Sequence, residues 1–320
     1  MIISVVQLGA VDYATALRLQ QRLVELRKND EIANVLLLLE HTPVITLGRN
    51  ALRNNVLASN ELLKQRGVEL FECDRGGDVT YHGPGQLVGY PIFDLRSFLG
   101  PDGERKTLGA VEFVRRLEET LIRTCADYGV ATERVKGMTG VWTELATTGT
   151  NDGARLPSSA ADVARPPSAA RPPSAGMIQA KIAAIGVHIS RGVTSHGFAL
   201  NVSNEPLDYF GLIVPCGIAK PVTSIEQQLL SRVISSKDAP QSEPAGLARE
   251  QHASESRELP STPSLDDVAQ SIARNFGRVF NSQIVWVDSL DALLGRSVDV
   301  PARAPEELRK IAGDEDNFWA

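Results

Sequence analysis

The chain has 320 residues, a formal net charge of −6 and 42% hydrophobic residues. That content is enough for one large domain or two small ones that fold without metal or disulfide staples. No segment gathers Lys and Arg into the cluster that a phosphate backbone requires, so nucleic acid is excluded as an expected partner. The sequence shows neither a basic leader nor a run of about 18 apolar residues, which argues against secretion and a membrane span. Three distant cysteines without a C-x-x-C pair indicate reduced thiols and predict a cytoplasmic protein.

The first part of the chain alternates between predicted helices and strands. Apolar residues at helical spacing predict a helix over 12–28, so the sequence predicts that a helix opens the fold. Strands are predicted at 35–39, 44–47 and 68–73, with a short helix at 61–65. The segment 87–95 predicts another strand. Pro91 predicts that this strand lies at a sheet edge or carries a bulge.

A long amphipathic helix is predicted over 108–128. Its apolar stripe comprises Leu108, Val111, Val114, Leu117, Leu121 and Cys125. Within that stripe Cys125 is interpreted as a small core residue, because no base accompanies it. Strands are predicted at 140–144 and at 178–189, on either side of the segment 146–176.

Two segments have the composition of disordered chain. Residues 146–176 are mostly Ala, Pro, Ser, Thr and Gly, and they contain the hexamer A-R-P-P-S-A twice in tandem. Such a segment cannot bury enough apolar surface to order itself, so a disordered insertion at the tip of a β-hairpin is predicted. Residues 235–263 are interpreted as a disordered linker for the same reason.

The domain organisation follows from these two segments. A main domain is predicted over 1–234, and a C-terminal extension, packed on that domain, over 264–320. The extension begins with a helix capped by Ser264 and Asp267, and a strand follows at 283–287. The whole pattern predicts an α+β (mixed α/β) fold with one central mixed sheet flanked by helices.

The most informative stretch is R-G-G-D-V-T-Y-H-G-P-G-Q-L-V, from Arg75 to Val88. Its glycines permit positive φ and let backbone N–H groups approach a ligand closely. It lacks the Lys-Ser/Thr ending of a phosphate-binding P-loop and the G-x-G-x-x-G spacing of a dinucleotide site. A ligand-contacting loop and a tight structural loop both remain open.

Two further stretches supply candidate chemical groups. Lys181 begins an apolar strand, where partial desolvation suits a lysine to proton transfer, although a snorkelling lysine at a strand end is the alternative. On the following segment His196 is a candidate pocket residue, whereas His188 is interpreted as packed or exposed. Cys216 stands between Pro215 and Gly217, in a turn that would present its thiol; the alternative is a structural cysteine.

Taken together, these stretches resemble the lipoyl(octanoyl) transferases. The resemblance covers about residues 1–230, interrupted by the insertion, and rests on several motifs in the family's order. These are E-H-T-P-V-I-T-L-G from Glu40, R-G-G-D-V-T-Y-H-G-P-G-Q, G-V-W from Gly140, K-I-A-A-I-G, S-H-G-F-A-L-N-V and P-C-G-I. The resemblance implies a catalytic domain with the fold of the biotin and lipoate protein ligases.

The family's site residues carry over by position. Cys216 matches the acyl-thioester nucleophile, and Lys181 matches the lysine that lowers the pKa of that thiol and transfers protons. Residues that match the acyl-binding positions are Arg75, Gly76, Gly77, Asp78, Val79, Thr80, Tyr81, His82, Ala184, Ile185, Gly186, Gly197, Phe198 and Ala199.

The resemblance also implies a reaction and its partners. An octanoyl group passes from octanoyl-acyl carrier protein to Cys216, and then to a lysine of lipoyl domains. The implied acceptors belong to the 2-oxo acid dehydrogenase complexes and the glycine cleavage carrier protein. No cofactor and no metal are expected, because the thioester already stores the energy of transfer. Two alternatives remain open: an ATP-dependent lipoate or biotin-type ligase, and a non-catalytic acyl-binding regulator.

Overall fold

A computed structural model of the chain describes residues 1–98, 107–146, 177–215, 220–237 and 261–295. The strands, in chain order, are β1 (Ile2–Val11), β2 (Asn34–His41), β3 (Val44–Leu47), β4 (Glu69–Glu72), β5 (Val79–His82), β6 (Gln86–Ile92), β7 (Glu133–Val135), β8 (Met138–Ala146), β9 (Met177–Ser190), β10 (Val193–Asn201) and β11 (Gln283–Trp286). The α-helices are α1 (Tyr13–Lys28), α2 (Asn60–Gln65), α3 (Ala110–Asp127), α4 (Ile225–Lys237), α5 (Leu265–Val279) and α6 (Leu290–Leu293). Short 3₁₀ helices occupy Arg53–Asn55, Leu95–Ser97 and Glu205–Leu212.

The described strands form two sheets. The large sheet has the order β11-β1-β2-β6-β10-β9-β8-β7, and the small one has the order β4-β3-β5. In the large sheet β1 pairs in parallel with β2 and β11, and the remaining pairs are antiparallel. Apolar side chains of α1 cover one face, whereas those of α3 and α5 cover the other. The predicted mixed α/β class with one large mixed sheet is therefore confirmed.

The fold opens with a strand, so the prediction that a helix opens it is wrong. Ile3 and Val5 of β1 pack in the core beneath α3 and α5, whereas Val6 and Leu8 pack beneath α1. A strand buried on both faces has no apolar/polar alternation, which is why its sequence pattern gave no strand signal. The predicted helix over 12–28 is confirmed as α1, and the Asp12 carboxylate caps it by accepting from the Thr15 N–H at 2.9 Å.

Strand β6 lies in the middle of the large sheet, so the expectation that Pro91 marks an edge strand or a bulge is wrong. Pro91 pairs in register with Leu36 of β2. On the side that faces β10, the last regular pair joins Phe198 to Gly89. Pairing resumes in the same register between Val193 and Asp94. The proline therefore lies in a gap of the ladder, where a missing N–H breaks no bond.

Helix α3 confirms the predicted stripe from Leu117 onward but not at its start. Val111 is 75% exposed, and the fully buried residue of the first turns is Phe113. The Phe113 ring packs 6.1 Å from Phe93 and 5.9 Å from Phe280. This aromatic cluster fixes which face of the helix turns inward. Cys125 is buried in the same core, as predicted, and burial raises its pKa to about 12.

Strands β8 and β9 form the predicted hairpin, in which Ala146 pairs with Met177. The chain therefore leaves and re-enters the sheet at one end of this hairpin. Residues 147–176, which are predicted to be disordered, lie outside the described residues. The same holds for residues 238–260 of the predicted linker and for residues 296–320.

The C-terminal part of the described chain joins the same body. Ser264 and Asp267 form the predicted capping box of α5, with the Asp267 N–H donating to Ser264 Oγ at 3.1 Å. Helix α5 packs against α3, and β11 extends the large sheet beside β1. Among the described helices, none has the length and apolar character needed to cross a membrane.

Candidate active site

A pocket lies where β9 and β10 of the large sheet face β5 of the small sheet. Its floor is formed by residues without bulky side chains, namely Ala184 and Gly186 of β9 and Gly197 and Ala199 of β10. The other lining residues are Thr80 and His82 of β5, together with Arg75, Gly76, Gly77, Asp78, Tyr13, Tyr90, Ile185, His196 and Phe198. Small floor residues leave room for a slender ligand between the two sheets.

A second cavity adjoins the first. Thr80, Ala184 and Ala199 line both cavities, and Lys181, Pro215 and Val222 line only the second. The two cavities therefore lie side by side along β9, between Lys181 and Gly186, and together they are called here the groove. Five residues of strand at about 3.3 Å each give that distance a length of roughly 16 Å.

Lys181 stands half-buried at one end of the groove. Its Nζ lies 4.7 Å from the centroid of the Trp142 ring, a distance at which a cation is attracted by the ring face. Its backbone N–H donates to the Pro221 carbonyl at 2.9 Å, and its carbonyl accepts from the Thr223 N–H at 2.9 Å. The segment 221–223 thus runs directly beside this residue.

Cys216 lies outside the described residues, as does Gly217. The chain on both sides of it is described: Pro215 lines the same cavity as Lys181, and Lys220 Nζ is 5.5 Å from the Trp142 centroid. Both ends of this short segment therefore lie at the Lys181 end of the groove. The predicted roles of Cys216 and Lys181 stay predictions.

The stretch from Arg75 onward is a loop followed by a strand, which corrects its interpretation as a continuous loop. The buried Arg75 guanidinium donates to the Thr46 carbonyl at 2.7 Å and to Thr46 Oγ1 at 2.9 Å. The Gly76 N–H donates to the Val187 carbonyl at 3.1 Å. The loop therefore connects the small sheet to β9 and closes the groove.

Side chains along β5 alternate between two faces, so the predicted acyl-binding residues of this strand point in two different directions. Thr80 and His82 face the groove, whereas Val79 and Tyr81 pack in the apolar core of the small sheet. Asp78 holds the loop, because its carboxylate accepts from Asn55 Nδ2 at 2.6 Å and from the Leu52 N–H at 3.2 Å.

On β9 and β10, two of the predicted residues line the groove and also belong to the core. Ile185 and Phe198 line the pocket, but they also pack with the core beneath α3 and α5.

The groove glycines are required by close backbone approach. A Cβ at Gly186 would lie 2.6 Å from the Gly76 carbonyl oxygen, and one at Gly197 would lie 2.6 Å from Pro91 Cδ. Real Cβ atoms essentially never come within 3.0 Å of such neighbours, so a side chain at either position forces the backbone to shift. These two residues therefore shape the groove whether or not they touch a ligand.

Replacing Gly186 with Ala should destabilise the fold by about 1–3 kcal/mol, because the added methyl collides with the loop that Arg75 holds in place. The free energy of unfolding in urea measures this loss. Gly211→Ala is the matched control, since a Cβ at Gly211 meets nothing within 4 Å. Equal stability of the Gly186→Ala and Gly211→Ala variants would contradict the close approach of loop and strand.

His196 is held in an unusual conformation at the far end of the groove. Its φ is +55°, in the left-handed region that few residues with a Cβ adopt. Its N–H donates to Gln20 Oε1 at 2.8 Å, and its Nε2 is 2.7 Å from Asp74 Oδ1. The hydrogen bond from His196 lowers the pKa of Asp74 to about 2, whereas burial lowers the pKa of His196. His188, whose Nδ1 is 3.5 Å from the other Asp74 oxygen, is half-buried.

Two more histidines are buried beside the groove. His41 Nδ1 is 2.7 Å from the Val11 carbonyl oxygen, and its Nε2 is 2.6 Å from the Tyr90 hydroxyl. Since a carbonyl only accepts, Nδ1 carries the proton and Nε2 accepts from Tyr90. His82 Nδ1 is 2.7 Å from Gln86 Oε1. Burial lowers the pKa of His41 to about 4 and that of His82 to about 3.

These histidines should make the protein sensitive to mild acid. The unfolded chain binds protons below the ordinary histidine pKa of 6.5, whereas the folded chain does not until about pH 4 to 3. Their full contribution to the free energy of unfolding is therefore present above pH 6.5 and is lost as the pH falls toward 4. Urea unfolding between about pH 7.5 and about pH 4.5 should show this decline. The His82→Gln variant should show a shallower one, and equal slopes in the two proteins would contradict the assignment.

Comparison with known proteins gives a family match and similar relatives. The chain matches the model of the lipoyl protein ligase A/B catalytic domain over residues 12–241. It is 51% identical to an octanoyltransferase of Koribacter versatilis over 98% of both chains. It is 50% identical to one of Acidobacterium capsulatum, over 92% of this chain and 96% of the relative.

The chain belongs to the octanoyltransferase family. The resemblance predicted from the sequence is thereby confirmed.

Solved structures extend the likeness of this octanoyltransferase family member to the ligases. Lipoate-protein ligase A bound with ATP superposes with a TM-score of 0.55 at 11% identity, over 92% of each chain. A bi-partite lipoate protein ligase of Thermoplasma acidophilum, solved with its E2 lipoyl domain, gives 0.53 at 12% identity, over 94% of this chain and 100% of the other. At such identities the likeness concerns the fold alone, and it confirms the ligase-like fold that the sequence predicted.

Several groove residues of this octanoyltransferase family member were missed by the sequence interpretation. Tyr13 and Tyr90 line the pocket, and Asp74 holds His196. Trp142 was quoted in the G-V-W motif, yet no role was assigned to it. The motif alone gave no signal for its contact with Lys181, because these residues are 39 positions apart (181 − 142) and meet only where β8 pairs with β9. Tyr13 gave no signal, since it falls on the apolar stripe of α1 like any core residue.

Proposed function

We propose that the protein transfers an octanoyl group from octanoyl-acyl carrier protein, through a thioester on Cys216, to a lysine of lipoyl domains. Membership of the octanoyltransferase family makes the chain an acyltransferase of lipoate metabolism. One observation carries the proposed route. Lys181 and Pro215, the residue before Cys216, line one end of a groove that continues along small residues into the fold.

The length of the groove suits the acyl chain. Seven carbon–carbon bonds of about 1.5 Å keep an extended octanoyl chain below about 11 Å. The strand segment that lines the groove, from Lys181 to Gly186, spans roughly 16 Å, which exceeds the length of that chain when its carbonyl is at the Lys181 end. Each methylene removed from water contributes about 0.8 kcal/mol, so groove depth would set the preferred chain length.

The first half-reaction requires a thiolate. An ordinary cysteine has a pKa of about 8.5 and is only a few per cent ionised at pH 7, so a neighbouring ammonium group that favours the thiolate raises its reactivity. Cys216 attacks the carrier thioester, the carrier sulfur departs, and Lys181 gives that sulfur its proton. Contact with the Trp142 ring holds the ammonium group at the mouth of the groove.

The second half-reaction returns the proton. Neutral Lys181 takes a proton from the incoming substrate amine, which attacks the thioester carbonyl and releases the Cys216 thiolate. Thiolate and ammonium are then both restored. No ATP is consumed, because the bond energy of the thioester is carried through both steps.

The proposed partners follow from this chemistry. Octanoyl-acyl carrier protein is the donor, and lipoyl domains of 2-oxo acid dehydrogenase complexes and of the glycine cleavage carrier protein are the acceptors. A structural relative solved with an E2 lipoyl domain supports this class of acceptor. We place the reaction in the cytoplasm, where a catalytic thiol stays reduced.

The test is transfer without ATP. Purified protein is mixed with octanoyl-acyl carrier protein and a lipoyl domain, and the mass of the domain is followed. An octanoyl adduct on the domain in the absence of ATP is the expected result. Transfer that occurs only from free octanoate with ATP would establish a ligase instead. A bound acyl group that never reaches the domain would establish an acyl-binding protein.

A further inference from the structure

A basic surface with exposed leucines lies beside the mouth of the groove. It consists of residues 49–66, which include the 3₁₀ helix Arg53–Asn55 and helix α2, and is called here the basic leucine surface. It carries one carboxylate, Glu61, and four exposed cations, Arg49, Arg53, Lys64 and Arg66. The whole chain has a net charge of −6, so this positive segment stands out from its surroundings.

The same segment exposes apolar side chains. Leu52 is 66% exposed, Leu57 58% and Leu62 36%. These three are among the nine large apolar side chains that are exposed in the described part of the chain, yet they fall within eleven consecutive residues. Leucines interspersed with cations on a folded surface are typical of a protein-binding site.

Hydrogen bonds attach the basic leucine surface to residues at both ends of the groove. The Val214 N–H donates to the Asn55 carbonyl at 2.7 Å, and the Leu57 N–H donates to the Leu212 carbonyl at 2.9 Å. Val214 directly precedes Pro215, which lines the cavity with Lys181. At the Gly186 end, the Arg49 N–H donates to the Arg75 carbonyl at 3.0 Å. A protein bound here would lie against the entrance.

Another arginine cluster, on α3 and β7, has its charges paired within the fold. Arg116 pairs with Glu112 at 3.0 Å, Arg123 with Glu119 at 2.8 Å, and Arg134 with Glu118 at 3.2 Å. Its cations are largely neutralised within the fold. None of the four cations of the basic leucine surface has a carboxylate within salt-bridge distance among the described residues. Their charge is available to a partner.

We propose that the basic leucine surface binds the acidic face of the carrier protein that delivers the acyl group. The proposal rests on the proposed function, because it names the partner of that same site. Carboxylates of the carrier would meet the four cations, and its apolar side chains would cover the leucines.

The test compares two octanoyl donors, one attached to the carrier protein and one without any protein. The Arg49→Glu/Arg53→Glu variant and the wild type are assayed with octanoyl-acyl carrier protein and with octanoyl-phosphopantetheine. In the variant, KM for the carrier-bound donor should rise about tenfold at low ionic strength, whereas kcat stays unchanged. KM for octanoyl-phosphopantetheine should not change. Added salt should raise the wild-type KM for the carrier and leave the variant's unaffected.

Two further variants complete the test. Leu52→Ser/Leu57→Ser should raise KM for the carrier alone, and Arg278→Glu, an exposed arginine on α5, should change nothing. Thermal unfolding confirms that each variant is folded. Equal KM for the carrier in wild type and both surface variants would overturn the proposal, as would an equal loss with octanoyl-phosphopantetheine or with Arg278→Glu. A wild type inactive with both donors would instead overturn the proposed function.

Discussion

The Cys216→Ala variant should lose octanoyl transfer by roughly 10⁴-fold or more, because no other group in the proposed route can carry the acyl chain. Intact-mass measurement after incubation with octanoyl-acyl carrier protein should show one octanoyl adduct on the wild type and none on the variant. Hydroxylamine should remove the adduct, since it cleaves thioesters.

The other two cysteines provide the control within the same molecule. Cys73 is half-buried and Cys125 is buried in the core, and both remain in the Cys216→Ala variant. Adduct that persists in this variant would mean that one of them, or another nucleophile, carries the acyl group. A wild type that transfers octanoate without ever showing an adduct would contradict the two-step route and support direct attack by the acceptor amine.

The Lys181→Ala variant should slow acylation of Cys216 by about 10²- to 10⁴-fold, the usual contribution of a positioned proton donor. Loss of the ammonium group should also raise the apparent pKa of the Cys216 thiol toward the ordinary value of about 8.5. The rate of alkylation by iodoacetamide, measured against pH, reports that pKa directly. Its midpoint should move to higher pH in the variant.

Lys220 is the matched control for this experiment. Its Nζ also lies near the Trp142 ring and donates to Gln179 Oε1 at 2.9 Å. Lys220→Ala should leave the alkylation profile where the wild type has it. An unchanged profile in Lys181→Ala with a shifted one in Lys220→Ala would move the proton-transferring role to Lys220.

The sequence predicted the periodic parts of the fold well. Helices α1, α3 and α5 each bury one stripe, and strands such as β3 are bounded by Pro43 and Gly48, so periodicity and breakers sufficed. It failed where tertiary context overrides local preference. Strand β1 is buried on both faces and so lacks alternation. Pro91 is tolerated in a central strand because the neighbouring ladder has a gap there.

For the groove, motif spacing identified the stretches but not the orientation of their side chains. The glycine-rich stretch contained strand β5, whose alternation turns Thr80 inward and Tyr81 away. That strand depends on pairing with β3, more than thirty residues earlier, which no local pattern reveals. Asp74 and His196 are likewise 122 residues apart in the chain, so their contact required the folded topology.

The pairing of β11 with β1 has a consequence during synthesis. Ile2 pairs with Gln283, so the outer edge of β1 stays uncovered until β11 has been synthesised. Until then the nascent chain offers an open strand edge, which readily recruits strands of other chains. Parallel pairing across so long a separation also forms slowly. Premature termination before residue 283 would therefore produce a polypeptide prone to aggregate.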